Sequence, residues 1–163
     1  WRLVQKPTLE RYAIAPEGAS LLAPALMLGD VQTEAEGNRH RSMLGDLRRD
    51  PIGLSVDIER NPHDLDDPAS FTEQLQALLR ARSSGRVPND MERLGIARIR
   101  DLGGIKTVEE AIRAKGFGYR IWRFSQLRPS GWTVTVQIEY LEAAPKQIKA
   151  QVETIAASVE VPE

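Results

Sequence analysis

The sequence contains no cysteine, which excludes thiol catalysis, and its two histidines are the candidates for the base of a nucleophilic triad. His40 lies between Arg39 and Arg41, and His63 lies in a turn-rich stretch at residues 61–67. A serine–histidine–acid triad needs a serine on a strand-to-helix turn, and no Gly-x-Ser-x-Gly motif occurs. The sequence therefore assigns no catalytic residue.

The stretch around His63 offers nitrogen and oxygen atoms of the kind that hold a cation. Its candidate ligands are His63, Asp64, Asp66 and Asp67. A calcium loop also requires a glycine and a bidentate glutamate at fixed offsets, and both are missing here. Asp67 stands directly before Pro68, which is the pattern of a helix N-cap followed by proline in the first turn. We therefore expect a helix cap, with no bound metal and no cofactor.

A polar segment, residues 32–50, carries five basic side chains, namely Arg39, His40, Arg41, Arg48 and Arg49. Such a segment buries little apolar area, so the entropy lost on ordering it is poorly offset. One interpretation is a mobile docking loop in which Arg39, His40 and Arg41 bind an acidic protein partner or an anionic membrane surface. The other is a solvated hairpin whose basic charges are neutralised by acidic residues of the same segment.

Six of the nine aromatic residues lie between Phe117 and Tyr140. On a strand through this region Trp122 and Phe124 point to one face, because side chains alternate along a strand. If helices cover that face, the two rings belong to the core. If they do not, Trp122 and Phe124 line an aromatic groove for a peptide, a lipid or a sugar.

The overall charge argues against a nucleic-acid-binding protein. Lysine and arginine number 22, aspartate and glutamate number 23, and the net charge is −1. Arg120, Arg123 and Arg128 interleave with the aromatic residues, a pattern that can neutralise phosphates and stack on bases. Acidic residues elsewhere cancel this charge, and no RNP-type motif is present.

Hydrophobic periodicity predicts the elements that would position these residues. Alternating apolar and polar residues indicate strands at 9–14, 52–59, 94–102, 118–127 and 132–141. On the last of these, the apolar Val134, Val136 and Ile138 are predicted to be buried, and Thr133, Thr135 and Gln137 to be more exposed. A helix is indicated from Pro68 to about Arg82, and a second helix begins at Pro145, with an apolar stripe of Ile148, Val152, Ile155 and Val159. The apolar stripe of the first consists of Phe71, Leu75, Leu78 and Leu79. Two segments fit either a helix or a strand, namely 19–28 and 107–115.

Antiparallel strands with two amphipathic helices predict an α+β fold, in which the helices cover the sheet as an α/β/α sandwich. The same order of elements resembles the Mog1/PsbP-like group. The similar features are a first strand that ends in proline (RYAIAPEG, residues 11–18), a helix after the next long strand, a long hairpin, and a C-terminal helix ending in Ala157-Ser158-Val159. The resemblance implies an accessory or binding domain, and the group shares no catalytic residues.

Length and composition fit one globular domain over residues 1–163, of which 41 % are hydrophobic. No apolar run approaches the ~20 residues of a membrane-spanning helix. The chain begins with Trp1 rather than methionine. We therefore expect the soluble part of a longer exported or membrane-tethered protein, placed outside the cytoplasm rather than inside it.

Two functional hypotheses follow from these patterns. The first is a non-catalytic binding or protein-interaction domain, which agrees with the missing catalytic motifs. The second is a small hydrolase or lyase whose carboxylates and arginines meet on neighbouring strands. The candidate residues of the second are Asp57, Glu59, Arg98 and Arg100. Carboxylate–arginine pairs of this kind are also common as surface ion pairs of small energetic consequence.

Overall fold

A computed structural model of the protein describes residues 8–25, 27, 29–116, 118–144 and 146–162. Its strands are β1 (Leu9–Ile14), β2 (Ala19–Pro24), β3 (Gln32–Glu36), β4 (Arg39–Leu44), β5 (Ile52–Arg60), β6 (Met91–Arg93), β7 (Arg98–Leu102), β8 (Ile105–Ala114), β9 (Tyr119–Arg128) and β10 (Trp132–Leu141). Its helices are α1 (Pro68–Ser84), α2 (Lys146–Lys149) and α3 (Val152–Ala157).

Antiparallel pairing organises the strands into one large sheet and one hairpin. The large sheet has eight strands in the order β3-β4-β5-β10-β9-β8-β6, and β7 pairs with β8 beside β6. β1 and β2 pair with each other as a separate two-stranded sheet, and Ser20 of β2 also forms an isolated antiparallel bridge with Glu160. The predicted α+β class, with a mainly antiparallel sheet, is confirmed.

One face of the sheet carries the main core. Val134, Val136 and Ile138 on β10 are each no more than 2 % exposed, as their alternation predicted. The intervening Thr133, Thr135 and Gln137 point to the other face and are partly exposed, which is also as predicted. The β1–β2 hairpin and α3 pack on the apolar face. Hairpin and helix together therefore shield this side of the sheet.

Helix α1 lies against the opposite face. Leu75 is buried in a second apolar cluster with Val108 of β8 and Leu127 of β9. The rest of the predicted stripe packs on this cluster, namely Phe71, Leu78 and Leu79. The Asp67 carboxylate accepts a hydrogen bond from the backbone N–H of Ser70 over 2.9 Å, so the predicted N-cap is confirmed.

Several element assignments become definite once the strands are paired. Residues 105–114 form β8, because β9 occupies one side of this segment and β6 and β7 share the other. Residues 19–24 form β2. The predicted strand at 94–102 is wrong at its start, since Gly95 has a φ of +85° and the pairing resumes only at Arg98.

The predicted C-terminal helix is divided into α2 and α3, and its expected first residue, Pro145, lies outside the described residues. Val152 and Ile155 are buried as the predicted stripe requires. Across the described part of the chain, no helix combines the length and the hydropathy needed to span a membrane.

Candidate functional site

Helix α1 leaves part of its sheet face uncovered, and a polar hollow of about 270 Å³ lies there. We call it the arginine groove; its lining residues are Arg39, Arg41, Asp57, Glu59, Arg82, Arg123, Thr135 and Gln137. Four arginines against two carboxylates leave an excess of two positive charges in the lining. The groove is therefore suited to an anionic ligand.

Strand register explains why residues so distant in sequence meet in the groove. One row crosses the sheet from Arg41 to Asp57, then to Thr135 and on to Ser125. Side chains in one such row project from the same face and lie close enough to interact with their neighbours. The row therefore brings together β4, β5, β10 and β9.

Asp57 holds two of the arginines at one side of the groove. Arg39 donates to it from Nε over 3.2 Å and from Nη2 over 3.0 Å, and Arg41 donates from Nε over 3.0 Å and from Nη2 over 3.4 Å. Burial raises the pKa of Asp57, but the hydrogen bonds and charges of the two arginines outweigh it, so the net shift is downward. The same hydrogen bonds raise the pKa of Arg39. Asp57 is therefore ionised and shared between two cations.

A second carboxylate, Glu110, is 5 % exposed and is compensated in the same way. Arg123 Nη1 donates to Glu110 over 3.0 Å, while its Nη2 donates to the Gln137 side-chain oxygen over 3.0 Å. Arg93 Nη2 lies 3.7 Å from the other Glu110 oxygen. The Arg93 guanidinium also donates to main-chain carbonyls of Arg82, Ser83 and Gly85 at the end of α1. Arg93 thus stabilises the helix C-terminus.

Arg82, in the last turn of α1, differs from these arginines. Its Nη2 donates to the Ser125 hydroxyl over 3.3 Å, and that hydroxyl lies 3.1 Å from the hydroxyl of Thr135. Its buried Nε has no hydrogen-bond partner, and no carboxylate of the described residues forms an ion pair with it. Burial lowers the pKa of Arg82, and the charge of Arg123 lowers it further, against the opposing effect of Glu110 and Asp57.

A second hollow of about 360 Å³ adjoins the arginine groove and shares Arg82, Arg123 and Gln137 with it. The character of its wall is different. Its lining includes the apolar residues Val87, Pro88, Met91, Ile112 and Ile121. Arg86, Arg93, Glu110 and Glu139 also line it, so a ligand that extends through both hollows would meet charge first and a partly apolar wall next.

The structure places the predicted basic residues on two faces. Arg39 and Arg41 line the groove, whereas His40 is in register with Ile58 and projects from the other face. The segment that holds them forms the β3–β4 hairpin, so the mobile-loop interpretation is wrong for residues 32–44.

Charge neutralisation in the hairpin is only partly as expected. Glu34 and Glu36 do face Arg41 and Arg39 across the β3–β4 pair. The bidentate acceptor for both arginines is nevertheless Asp57. Asp46 binds Arg48 instead, and those hydrogen bonds lower the pKa of Asp46 to about 2.

The aromatic candidates do not form an open groove. Trp122 and Phe124 project toward the main core, with ring centroids 5.2 Å apart. Phe124 is 1 % exposed and Trp122 is half-buried against the same cluster. Of the two interpretations, the covered face is the one in the structure, and a binding role for Phe124 does not fit its burial.

The residues proposed for a hydrolase or lyase are not brought together. Asp57 and Glu59 lie on β5, whereas Arg98 and Arg100 lie on β7, with β10, β9 and β8 between them. The two pairs also project from opposite faces. Arg100 instead forms ion pairs with Glu109 over 2.9 Å and with Glu153 over 2.8 Å.

The stretch around His63 forms turns through its own side chains. The Asn61 side-chain oxygen accepts from the His63 N–H, and Asp64 accepts from the Asp66 N–H. Over the described ranges, no group of three residues with metal-ligating side chains comes together.

Sequence reasoning missed Arg82 as a site residue, although a signal for it was present. Arg82 stands at i+7 from Leu75 and so continues the apolar stripe of α1. A cation in a position that faces the sheet is an exception that indicates either a buried partner or a ligand.

No protein-family model and no curated protein matches the chain. Solved structures do resemble it. A crystal structure from Bacteroides thetaiotaomicron has a TM-score of 0.51 and 9 % identity, over 89 % of this chain and 45 % of that one, so the chain spans less than half of that protein. The structure of a Mog1 mutant has a TM-score of 0.48 and 10 % identity, over 94 % of this chain and 96 % of that one. The structure of a Pseudomonas aeruginosa protein of unknown function has a TM-score of 0.46 and 13 % identity, over 95 % of this chain and 97 % of that one. A Mog1 structure is therefore among the matches, in agreement with the Mog1/PsbP-like resemblance noted from the sequence, and these likenesses say nothing of function.

Proposed function

We propose that this chain is a non-catalytic binding domain that docks an acidic segment of a protein partner in the arginine groove. The observation that carries the proposal is the excess of two positive charges in a concave lining. Charge complementarity of this kind selects partners and accelerates their encounter. A concave site also suits an inserted side chain better than it suits the flat surface of a membrane.

The size of the groove supports a segment rather than a whole small molecule. At about 270 Å³ it is smaller than the roughly 300–1,000 Å³ of pockets that enclose a drug-sized ligand. The neighbouring hollow continues it with an apolar wall. A peptide with an acidic side chain next to an apolar one could place the first in the charged groove and the second against the apolar residues of the neighbouring hollow.

The scaffold belongs to the same proposal. Helix α1 forms one outer layer, and α3, whose Val152 and Ile155 are buried, contributes to the other together with the β1–β2 hairpin. This arrangement supports an α/β/α sandwich in which the groove lies beside α1 on a rigid sheet. Sites on rigid elements hold their geometry better than sites on loops.

The test is an NMR titration of the 15N-labelled protein with a short peptide of alternating glutamate and leucine. We expect saturable shifts at β4, β5 and the end of α1, and we expect them to weaken as salt is added. The matched peptide has glutamine for every glutamate and should bind far more weakly. Equal binding of the two peptides, or shifts confined to other surfaces, would contradict the proposal.

Variants locate the interaction within the groove. Arg41→Gln should weaken binding of the glutamate peptide, because it removes a groove cation. Arg80→Gln is the matched control, since Arg80 is exposed on α1 and does not line the groove. Equal loss of affinity in both variants would indicate a general charge effect instead of a site.

A further inference from the structure

Arg82 is held in a position that is unfavourable for a cation in the unliganded protein. Its guanidinium is partly removed from water, its Nε has no acceptor among the described residues, and the positive charge of Arg123 is near enough to lower its pKa. Desolvating a charge without a hydrogen-bonded counterion destabilises the folded state. Glu110 and Asp57 offset only part of that cost, because the hydrogen-bond partner of Arg82 among the described residues is a neutral hydroxyl at 3.3 Å.

Arg93, its neighbour in space, shows what a structural arginine looks like at this place in the fold. The Arg93 guanidinium donates to carbonyls at the end of α1 and lies beside the Glu110 carboxylate. Its charge therefore has partners of opposite polarity. Arg82 forms no ion pair with any of the described residues, although it lines both the arginine groove and the adjoining hollow.

The surroundings of Arg82 are suited to an oxyanion. Arg123 provides a second positive charge, and the Ser125 hydroxyl that accepts from Arg82 lies 3.1 Å from the Thr135 hydroxyl. Planar guanidinium groups bind carboxylate and phosphate oxygens through paired N–H groups, and such charge-assisted hydrogen bonds are about twice as strong as neutral ones. An anion here would supply the missing counter-charge and reduce the repulsion between the two arginines.

We infer that Arg82 binds one oxyanion group, a carboxylate or a phosphate, of the ligand that occupies the arginine groove. We call this position the oxyanion site. This inference rests on the proposed binding function and specifies which chemical group enters first and where. The remainder of the ligand then follows the apolar wall of the adjoining hollow. In the free protein the poorly compensated charge of Arg82 at the oxyanion site lowers the stability of the fold, and we infer that this charge serves ligand binding.

The test combines stability and anion binding in Arg82→Gln, with Arg80→Gln as the control on the same helix. Without added anion, Arg82→Gln should have a Tm equal to or above that of the wild type, because it removes a poorly compensated charge. Phosphate or acetate, compared with chloride at equal ionic strength, should raise the Tm of the wild type and of Arg80→Gln but not of Arg82→Gln. A structural arginine would behave in the opposite way, with a lower Tm in Arg82→Gln under every condition.

NMR gives the affinity directly. The Arg82 Nε–H signal should shift saturably with phosphate or acetate, and the anion that saturates it at the lower concentration identifies the preferred group. The anion affinity measured from the groove amides should be at least about tenfold lower in Arg82→Gln, as expected for the loss of a charge-assisted hydrogen bond. Arg82→Lys keeps the charge but loses the planar fork and should retain only part of the affinity.

Two failures remain distinguishable. Non-saturable chemical-shift changes, or equal anion binding by Arg82→Gln and the wild type, would contradict the oxyanion site at Arg82 even if the glutamate peptide still binds the groove. If the peptide does not bind but anions bind saturably at Arg82, the proposed docking of an acidic segment is wrong and the oxyanion site at Arg82 is supported.

Discussion

Arg41 and Asp57 lie directly opposite each other on β4 and β5, and Arg41 Nε donates to Asp57 Oδ1 over 3.0 Å. Arg39, two residues earlier on the same strand, donates to the same carboxylate. One internal anion therefore positions two cations at the edge of the groove. By contrast, the buried Nε of Arg82 has no hydrogen-bond acceptor in the part of the chain that the structure describes.

The Asp57 pair predicts a pH dependence of stability. The folded-state pKa of Asp57 is lowered below its ordinary value of 3.8, so its ionised form contributes stability above that value, and the contribution disappears as the pH falls through the lowered pKa. Wild-type protein should therefore lose more free energy of unfolding than Asp57→Asn between about pH 7 and about pH 3 in denaturant titrations. Asp66→Asn, an exposed change, should follow the wild type. Parallel curves for wild type and Asp57→Asn would show that the pair adds nothing.

Truncation of the β10 core should be costly. Ile138 is fully buried between the sheet and its apolar cover, so Ile138→Ala removes packed atoms and leaves a cavity. We expect the free energy of unfolding to fall by about 2–5 kcal/mol. Gln32→Ala, on the exposed strand β3, should change it by no more than about 0.5 kcal/mol. A similar small effect in Ile138→Ala would mean that the two faces of β10 have been interchanged.

Two tryptophans provide a matched comparison. The Trp132 indole N–H donates to the Pro162 carbonyl over 3.0 Å and so fastens the C-terminal segment, whereas the buried Trp122 N–H has no acceptor among the described residues. Trp132→Phe should cost about 0.5–1.5 kcal/mol for the lost hydrogen bond, in addition to the change in ring size, and should speed hydrogen exchange at Glu160. Trp122→Phe should cost less than Trp132→Phe. The reverse order in denaturant titrations would contradict the assignment.

Hydrogen exchange can test the β3–β4 hairpin. Strand β4 pairs with β3 on one side and β5 on the other, so the amides of residues 39–44 should exchange slowly in the isolated protein. Amides of β3 that face away from β4 should exchange faster, because β3 is the last strand on that side of the sheet. Fast exchange across residues 39–44 would restore the interpretation as a mobile docking loop.

Local patterns were sufficient wherever one element could be judged by its own residues. The cap at Asp67 and the stripe through Leu75 located α1, because capping and helical periodicity act within a few turns of chain. Alternation likewise located β9 and β10 and identified Val136 as core. The resemblance to the Mog1/PsbP-like group also came from the sequence, whereas the expectation of a binding domain stays a prediction.

Tertiary structure alone decided which distant residues meet. Residues 107–114 became part of a strand because three other strands pair with them, and the local sequence allowed a helix as well. The sequence placed Asp57 with Arg98 and Arg100, whereas strand order separates them and aligns Asp57 with Arg41. Register and strand order depend on contacts between segments far apart in the chain, which local periodicity does not encode. The same contacts place Arg82 over the sheet beside Arg123, and for that reason the groove emerges only from the folded protein.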